Sequence, residues 1–270
     1  MNSNTTMKLI DVNNYNIRYL HYTNKATSIK KNTLVLLHGI GASADRWSNV
    51  LPTLSKYYNL IVPDIIGFGY SDKPTVEYTM DFFVGFFEDF LSKLKVEKLS
   101  IIGSSFGGYL ATEFAVRNQE KVSKLILAAP AGAMRTSTRV LDQYIMAALY
   151  PTYENTSRAF KDMAQEPSIV DEGTVRDFMN RMRLPNAKYA FMSTLLAMRD
   201  SEGLVGKLSR ISIPTLLIWG GNDRMIPLAY SKEYAEIPNN HLTVIDNCGH
   251  TPFVEKPTEF NDIVLGFLKE

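Results

Sequence analysis

Residues 103 to 107, Gly-Ser-Ser-Phe-Gly, fit the pattern G-x-S-x-G and stand between a short β-branched run, Leu99 to Ile102, and a helically spaced segment, Tyr109 to Ala115. A serine in the middle of such a strand-to-helix turn is strained so that its hydroxyl projects away from the backbone. Ser105 is therefore the candidate nucleophile, and Gly103 and Gly107 give the chain room to fold back. A serine hydroxyl attacks a carbonyl only when a base takes its proton. Of the four histidines, His250 in NCGHTPFVEKP follows the last strand pattern, and a parallel sheet places its working groups at the carboxyl ends of its strands. His38 closes an earlier apolar run, His21 lies in an opening hairpin, and His241 just precedes a strand. The base needs a carboxylate to hold one tautomer. Asp223 in IWGGNDRMIP emerges after the penultimate strand, whereas Asp64 and Asp246 read as loop braces. Charge building on a carbonyl oxygen calls for backbone N–H donors, expected from Phe106 and from Ile40 in His38-Gly39-Ile40-Gly41. His38 then braces that loop.

The elements that must position these groups follow from the hydrophobic pattern. Lys8 to Val12 and Ile17 to Tyr22 alternate around Asn13-Asn14, which predicts an antiparallel hairpin. After the polar stretch Thr23 to Asn32 come Thr33 to Leu37, Leu60 to Val62, Leu99 to Ile102 and Lys124 to Ala128, with continuous rather than alternating hydrophobicity, as in parallel strands covered on both faces. From Ala131 to about Leu208 methionines and helical periodicity dominate, broken at Pro151, Pro167 and Pro185. Strand character returns at Thr215 to Trp219 and Leu242 to Ile245, before an amphipathic helix from Pro257 to Leu268. The expected organisation is an α/β core of residues 1–130 and 209–270, interrupted by a helical cap insert, 131–208, whose methionines roof an apolar pocket.

Composition narrows the chemistry. The 270 residues carry 29 basic and 28 acidic side chains, a net charge of +1 that leaves no broad footprint for nucleic acid or an anionic membrane. The single cysteine, Cys248, excludes an intramolecular disulfide and reads as a small buried side chain. The polar start MNSNTTMKLI lacks the pattern of a signal peptide, and the apolar stretch Phe82 to Leu91 is too short to span a bilayer. A soluble, cytoplasmic protein with a small-molecule substrate is expected; assembly into a homo-oligomer stays open.

LLHGIGAS, VPDIIGFGYSDKP, GSSFGGYLA, AAPAG, IWGGNDRMIP and NCGHTPFVEKPTEFN follow one another in an order and spacing that resemble the α/β-hydrolase superfamily nearly from end to end. The resemblance implies an α/β-hydrolase fold, a mostly parallel doubly wound sheet with an inserted helical cap. It also implies Ser105 as nucleophile, His250 as base, Asp223 as acid, the amides of Ile40 and Phe106 as oxyanion hole, and no metal or cofactor. The chain is most similar to small capped carboxylesterases and to hydrolases that split carbon–carbon bonds in meta-cleavage products of aromatic degradation. The latter usually carry an aromatic residue after the catalytic histidine and an asparagine before the serine, where this chain has Thr251 and Ser104. They also place a carboxylate-binding arginine near Arg176, so Ser104 and Arg176 are the substrate-binding candidates. The two departures favour a carboxylesterase acting on small, largely apolar esters; the alternatives are the carbon–carbon hydrolase and a non-catalytic small-molecule receptor on the same scaffold. Ser105 argues against the dehalogenases and epoxide hydrolases of this fold, which use an aspartate nucleophile. Gly39 to Ala44 also fits G-x-G-x-x-A, with Asp64 closing the next strand, but a dinucleotide site leaves the serine turn and the loops around Asp223 and His250 unexplained.

Overall fold

Apolar runs without alternation fold where both faces of a sheet are covered. In a computed structural model, which describes residues 4–23, 32–201, 203–204 and 206–269, five such runs pair in parallel. They are β3 (Thr33–Leu37), β4 (Asn59–Pro63), β5 (Leu99–Ser104), β6 (Val122–Ala128) and β7 (Thr215–Gly220). Every residue of β5 and β7 is buried. At one edge β8 (Asn240–Ile245) adds parallel to β7. At the other lies the hairpin of β1 (Asn4–Val12) and β2 (Tyr15–Thr23), with β2 antiparallel to β4. Its turn residues, Asn13 and Asn14, both have positive φ, 54° and 66°, the backbone that matches strand twist in a two-residue hairpin. Of the polar stretch Thr23 to Asn32, residues 24–31 lie outside the described residues, as do residues 1–3 of the polar start.

Successive side chains along each strand feed opposite cores. Val35, Leu37, Ile101, Leu125 and Leu127 join one cluster with α2 (Met80–Lys93) and α3 (Phe106–Arg117). Leu34, Leu36, Ile102 and Ile126 join the other, with α1 (Leu51–Leu54), α8 (Pro252–Glu255) and α9 (Pro257–Lys269). The phenylalanine-rich stretch is the core stripe of α2, where Phe83, Phe86, Phe87 and Phe90 are buried and the Thr79 side chain accepts from Phe82 N–H as an N-cap. Among the described residues no helix is long and apolar enough to cross a membrane.

The sheet runs β1-β2-β4-β3-β5-β6-β7-β8. From β3 the chain moves toward one edge to β4 and then returns to the other side of β3 as β5. That reversal leaves a crevice at the carboxyl ends of β3 and β5, so the loop at Gly39-Ile40 and the turn at Ser105 lie side by side.

Between β6 and β7 the described residues form four further α-helices, α4 (Arg139–Leu149), α5 (Tyr153–Met163), α6 (Glu172–Met182) and α7 (Ala187–Asp200). The first three begin where Thr138, Thr152 and Asp171 accept a backbone N–H of the opening turn. Pro151 and Pro185 stand in the breaks, and Pro167 opens a short 3-10 turn.

Candidate active site

Ser105 sits between the last residue of β5 and the first of α3 with φ 52° and ψ −119°, a conformation that costs a non-glycine residue energy. The crowding on either side makes the flanking glycines necessary. A Cβ at Gly103 would lie 2.4 Å from Gly107 O, and one at Gly107 would lie 2.3 Å from Leu37 O, both fixed backbone atoms. Ser105 lines a cavity of about 460 Å³ between the carboxyl edge of the sheet and α4 to α7.

His250 lines the same cavity. Its Nδ1 lies 2.8 Å from Asp223 Oδ2, and both side chains are buried. The other oxygen of Asp223 accepts the N–H groups of Met225 and Ile226, each at 2.9 Å, so the carboxylate cannot swing. Facing a carboxylate, Nδ1 carries the proton and Nε2 keeps its lone pair for the cavity. The two loops meet main chain to main chain: Asn222 N–H donates to Cys248 O at 2.9 Å, and a Cβ at Gly220 would lie 2.0 Å from Gly249 O. Asp64 is used elsewhere, accepting from Ala44 N–H, Tyr70 N–H and Arg18, as expected of a loop brace.

Two peptide groups at this edge are oriented by bonds on their oxygens. Gly39 O accepts from His38 Nδ1 at 2.7 Å and from Ala42 N–H at 3.2 Å, and a trans peptide then turns the N–H of Ile40 the opposite way. Ser105 O accepts from the N–H groups of Gly108, Tyr109 and Ala131 at 3.0, 3.1 and 2.9 Å, which fixes the N–H of Phe106 likewise. Ile40 and Phe106 both line the cavity, and Tyr144 of α4 holds the next carbonyl of the loop, Ile40 O, at 2.7 Å. Two fixed N–H donors beside a serine suit an oxygen that gains negative charge.

His38 is locked as a neutral imidazole, donating from Nδ1 to Gly39 O and accepting Ile65 N–H at Nε2. Burial pushes its pKa from 6.5 down to about 4. Between those values the unfolded chain binds more protons than the folded one, so stability falls as pH drops from 6.5 to 4. This group's share is on the order of 3 kcal/mol. Urea unfolding of wild type and His38→Gln at several pH values is expected to show a shallower acid loss in the variant; parallel slopes would mean His38 is not the sensitive group.

The charged side chains that line the cavity are not the one expected from the sequence. Arg176 is not brought to it: its side chain is 64% exposed and pairs with Glu172 one turn earlier on α6. Arg181 faces inward instead, because five residues turn a helix by about 140° relative to the starting face. Its side chain is 4% exposed, pairs with Asp177 and leaves Nε without a hydrogen-bond partner. Arg46, from the 3-10 turn after the Ile40 loop, also lines the cavity; among the described residues its side chain has no hydrogen-bond or ion-pair partner and rests over the Phe160 ring at 5.8 Å. Burial pulls both guanidiniums below their ordinary pKa. Arg181 was within reach of the sequence, since Phe178 and Met182 mark the buried face of α6 and position 181 falls on it. Arg46 carries no such periodic signal. Ser104 and Thr251 are buried and line the cavity as well. Among the described residues no group of three or more His, Cys, Asp or Glu side chains is placed to hold a metal ion.

A family profile described as alpha/beta hydrolase fold matches residues 32–162 and 183–257. A 2-hydroxymuconate semialdehyde hydrolase of a Pseudomonas species is 31% identical over 247 residues, covering 88% of this chain and 87% of that protein. Among solved structures, a meta-cleavage product hydrolase from Pseudomonas fluorescens superposes with a TM-score of 0.86 at 28% identity, covering 97% of each chain. A bacterial membrane phospholipase A superposes with a TM-score of 0.86 at 26% identity, covering 98% of this chain and 86% of that one.

Proposed function

This chain belongs to the α/β-hydrolase family, and from that premise we propose that it hydrolyses a carbon–carbon bond beside a ketone in a small substrate that carries a carboxylate. The observation that carries the reading is a pair of guanidiniums, the buried Arg181 and the half-buried Arg46, in the wall of the cavity that Ser105 and His250 share. A neutral ester offers Arg46 no partner, whereas a carboxylate supplies a charge-assisted one and offsets the cost of burying the cation. Relatives that bear the names of ring-cleavage-product hydrolases support the same reading. It replaces the carboxylesterase favoured by Ser104 and Thr251 alone.

In this reading Ser105 Oγ attacks the ketone carbon while His250 Nε2 takes its proton and Asp223 stabilises the imidazolium. The N–H groups of Ile40 and Phe106 bind the resulting oxyanion. Its collapse expels the neighbouring carbon with the bonding pair, and His250 returns its proton to that carbon. Water, deprotonated by the same imidazole, then attacks the acyl group on Ser105 and releases a carboxylic acid. Residues 131–208 act as the cap between core segments 1–130 and 209–270, and the side chains of α4 to α7 select substrates by shape. All proton transfers are made by side chains, so no metal or cofactor is required.

A second reading, hydrolysis of carboxylic esters, is favoured by the small Thr251 and by the phospholipase neighbour. A panel of nitrophenyl esters and a dienoate ring-cleavage product decides between them. The dienoate is expected to exceed the best ester in kcat/KM by about a hundredfold, and to lose about tenfold or more in Arg46→Gln and in Arg181→Gln, from the worth of a charge-assisted bond. Esters turned over faster than the dienoate, with no dependence on either arginine, would establish the second reading instead.

A further inference from the structure

Three consecutive residues at the end of α5, Met163 to Gln165, are gripped by the loops that carry His250 and Asp223. His250 N–H donates to Met163 O at 3.1 Å, Arg224 Nη2 donates to Ala164 O at 2.7 Å, and Gln165 N–H donates to Glu255 Oε2 at 2.8 Å. Glu255, the last residue of α8, also accepts Gly249 N–H at 2.9 Å and Thr251 N–H at 3.1 Å. The three successive amides around the base are thus held either by Glu255 or by the insert itself. The approach is close enough to need a glycine: a Cβ at Gly249 would lie 2.5 Å from Met163 O and 2.8 Å from Gln165 N. Ala164 ends α5 in an extended conformation, φ −84° and ψ 148°, which turns the following amide away from the helix. The same helix lends Phe160 and Met163 to the cavity wall, so a molecule in the cavity bears on the segment that the clip holds.

We propose that Glu255 is a positioning residue that clips the stem of the insert to the His250 loop, so that the base stays aligned with Ser105 only while residues 163–165 are docked. The inference rests on the reading of Ser105 and His250 as nucleophile and base. A carboxylate is suited to the task because two oxygens can accept three N–H groups at once and the charge strengthens each bond. Glutamine offers a single acceptor oxygen and turns an NH₂ toward one set of donors. With the clip open, the imidazole is held from Asp223 alone, and a small misplacement of a base costs rate rather than affinity.

The test uses two variants that open the clip from opposite ends. Glu255→Gln weakens it from the core side. Gln165→Pro replaces the insert's N–H by a ring methylene that faces Glu255, and Ala164 already has the extended backbone that a following proline demands. Both are assayed for 4-nitrophenyl butyrate turnover, for the rate of Ser105 labelling by a fluorophosphonate, and for amide hydrogen exchange over residues 248–251. Each variant is expected to lose about tenfold to a hundredfold in kcat and in labelling rate, with KM within about twofold. Faster exchange at 248–251 is expected in Gln165→Pro, although that substitution lies outside the loop. Wild-type labelling and wild-type exchange in Gln165→Pro would overturn the clip; should Glu255→Gln fail to fold, that variant decides alone. Absence of labelling at Ser105 in the wild-type protein would sink the hydrolase reading, while the exchange measurement would still judge the clip.

Discussion

Ser105→Ala is expected to abolish hydrolysis of both activated esters and ketone substrates, a loss of roughly 10⁴-fold or more, because a triad acts as a unit and only binding and oxyanion stabilisation survive its removal. His250→Ala is expected to lose about as much, and the double variant no more than either single one. Mass spectrometry of protein treated with an organophosphonate should place the adduct on Ser105, the residue held at φ 52° with its side chain in the cavity. Full activity in Ser105→Ala would remove the basis of the proposed mechanism. Independent, multiplying losses in the double variant would mean that the two residues serve different steps.

Asp223→Asn is expected to keep the fold and lose roughly 10³- to 10⁴-fold in kcat. The reason lies in the partners of its two oxygens. One accepts the amides of Met225 and Ile226, so in the variant the carbonyl oxygen of asparagine stays there and the NH₂ turns to His250. Nδ1 must then accept, which moves the ring proton to Nε2 and leaves no lone pair for the serine. The matched control is Asp246→Asn. A damaging Asp246→Asn beside an inert Asp223→Asn would show that the base takes its carboxylate from its own loop.

The site could be read from the sequence wherever a residue type is forced by local geometry. Gly103 and Gly107 bracket Ser105 because two backbone segments touch there, Gly220 stands where the Asp223 and His250 loops meet, and Gly249 stands where the His250 loop meets the end of α5. The parallel strands were legible for a similar reason. Burial on both faces favours a continuous run of mainly apolar residues, so β3 spans Thr33–Leu37, the run expected from its hydrophobicity. What escaped depends on the surroundings of a residue rather than on its neighbours in the chain. Arg176 and Arg181 have the same type on the same helix, and only the helix's contact with the rest of the fold sends one to solvent and the other to the cavity. Arg46 enters the proposed reading because, among the described residues, no hydrogen-bond or ion-pair partner meets its side chain, a property of the atoms around it and not of its neighbours in the chain. Glu255 has the same character: its three N–H partners come from two segments some 85 residues apart, between Gln165 and Gly249–Thr251.

The groups by which the insert docks beneath His250 are a carbonyl of Met163, a carbonyl of Ala164 and the N–H of Gln165, all of them backbone. Any residue except proline at the last position offers the same three groups, so mutation can change these side chains without undoing the dock. The insert also leaves and rejoins the sheet at adjacent strands, β6 and β7, where Ala128 pairs with Ile218. Its length can therefore drift at little entropic cost to the core. An evolving lineage, or an engineer grafting the corresponding segment from a relative, thus inherits a socket that reads shape and not sequence; in the proposed reading, the wall of the cavity can be exchanged while the loops that carry Asp223 and His250 stay as they are.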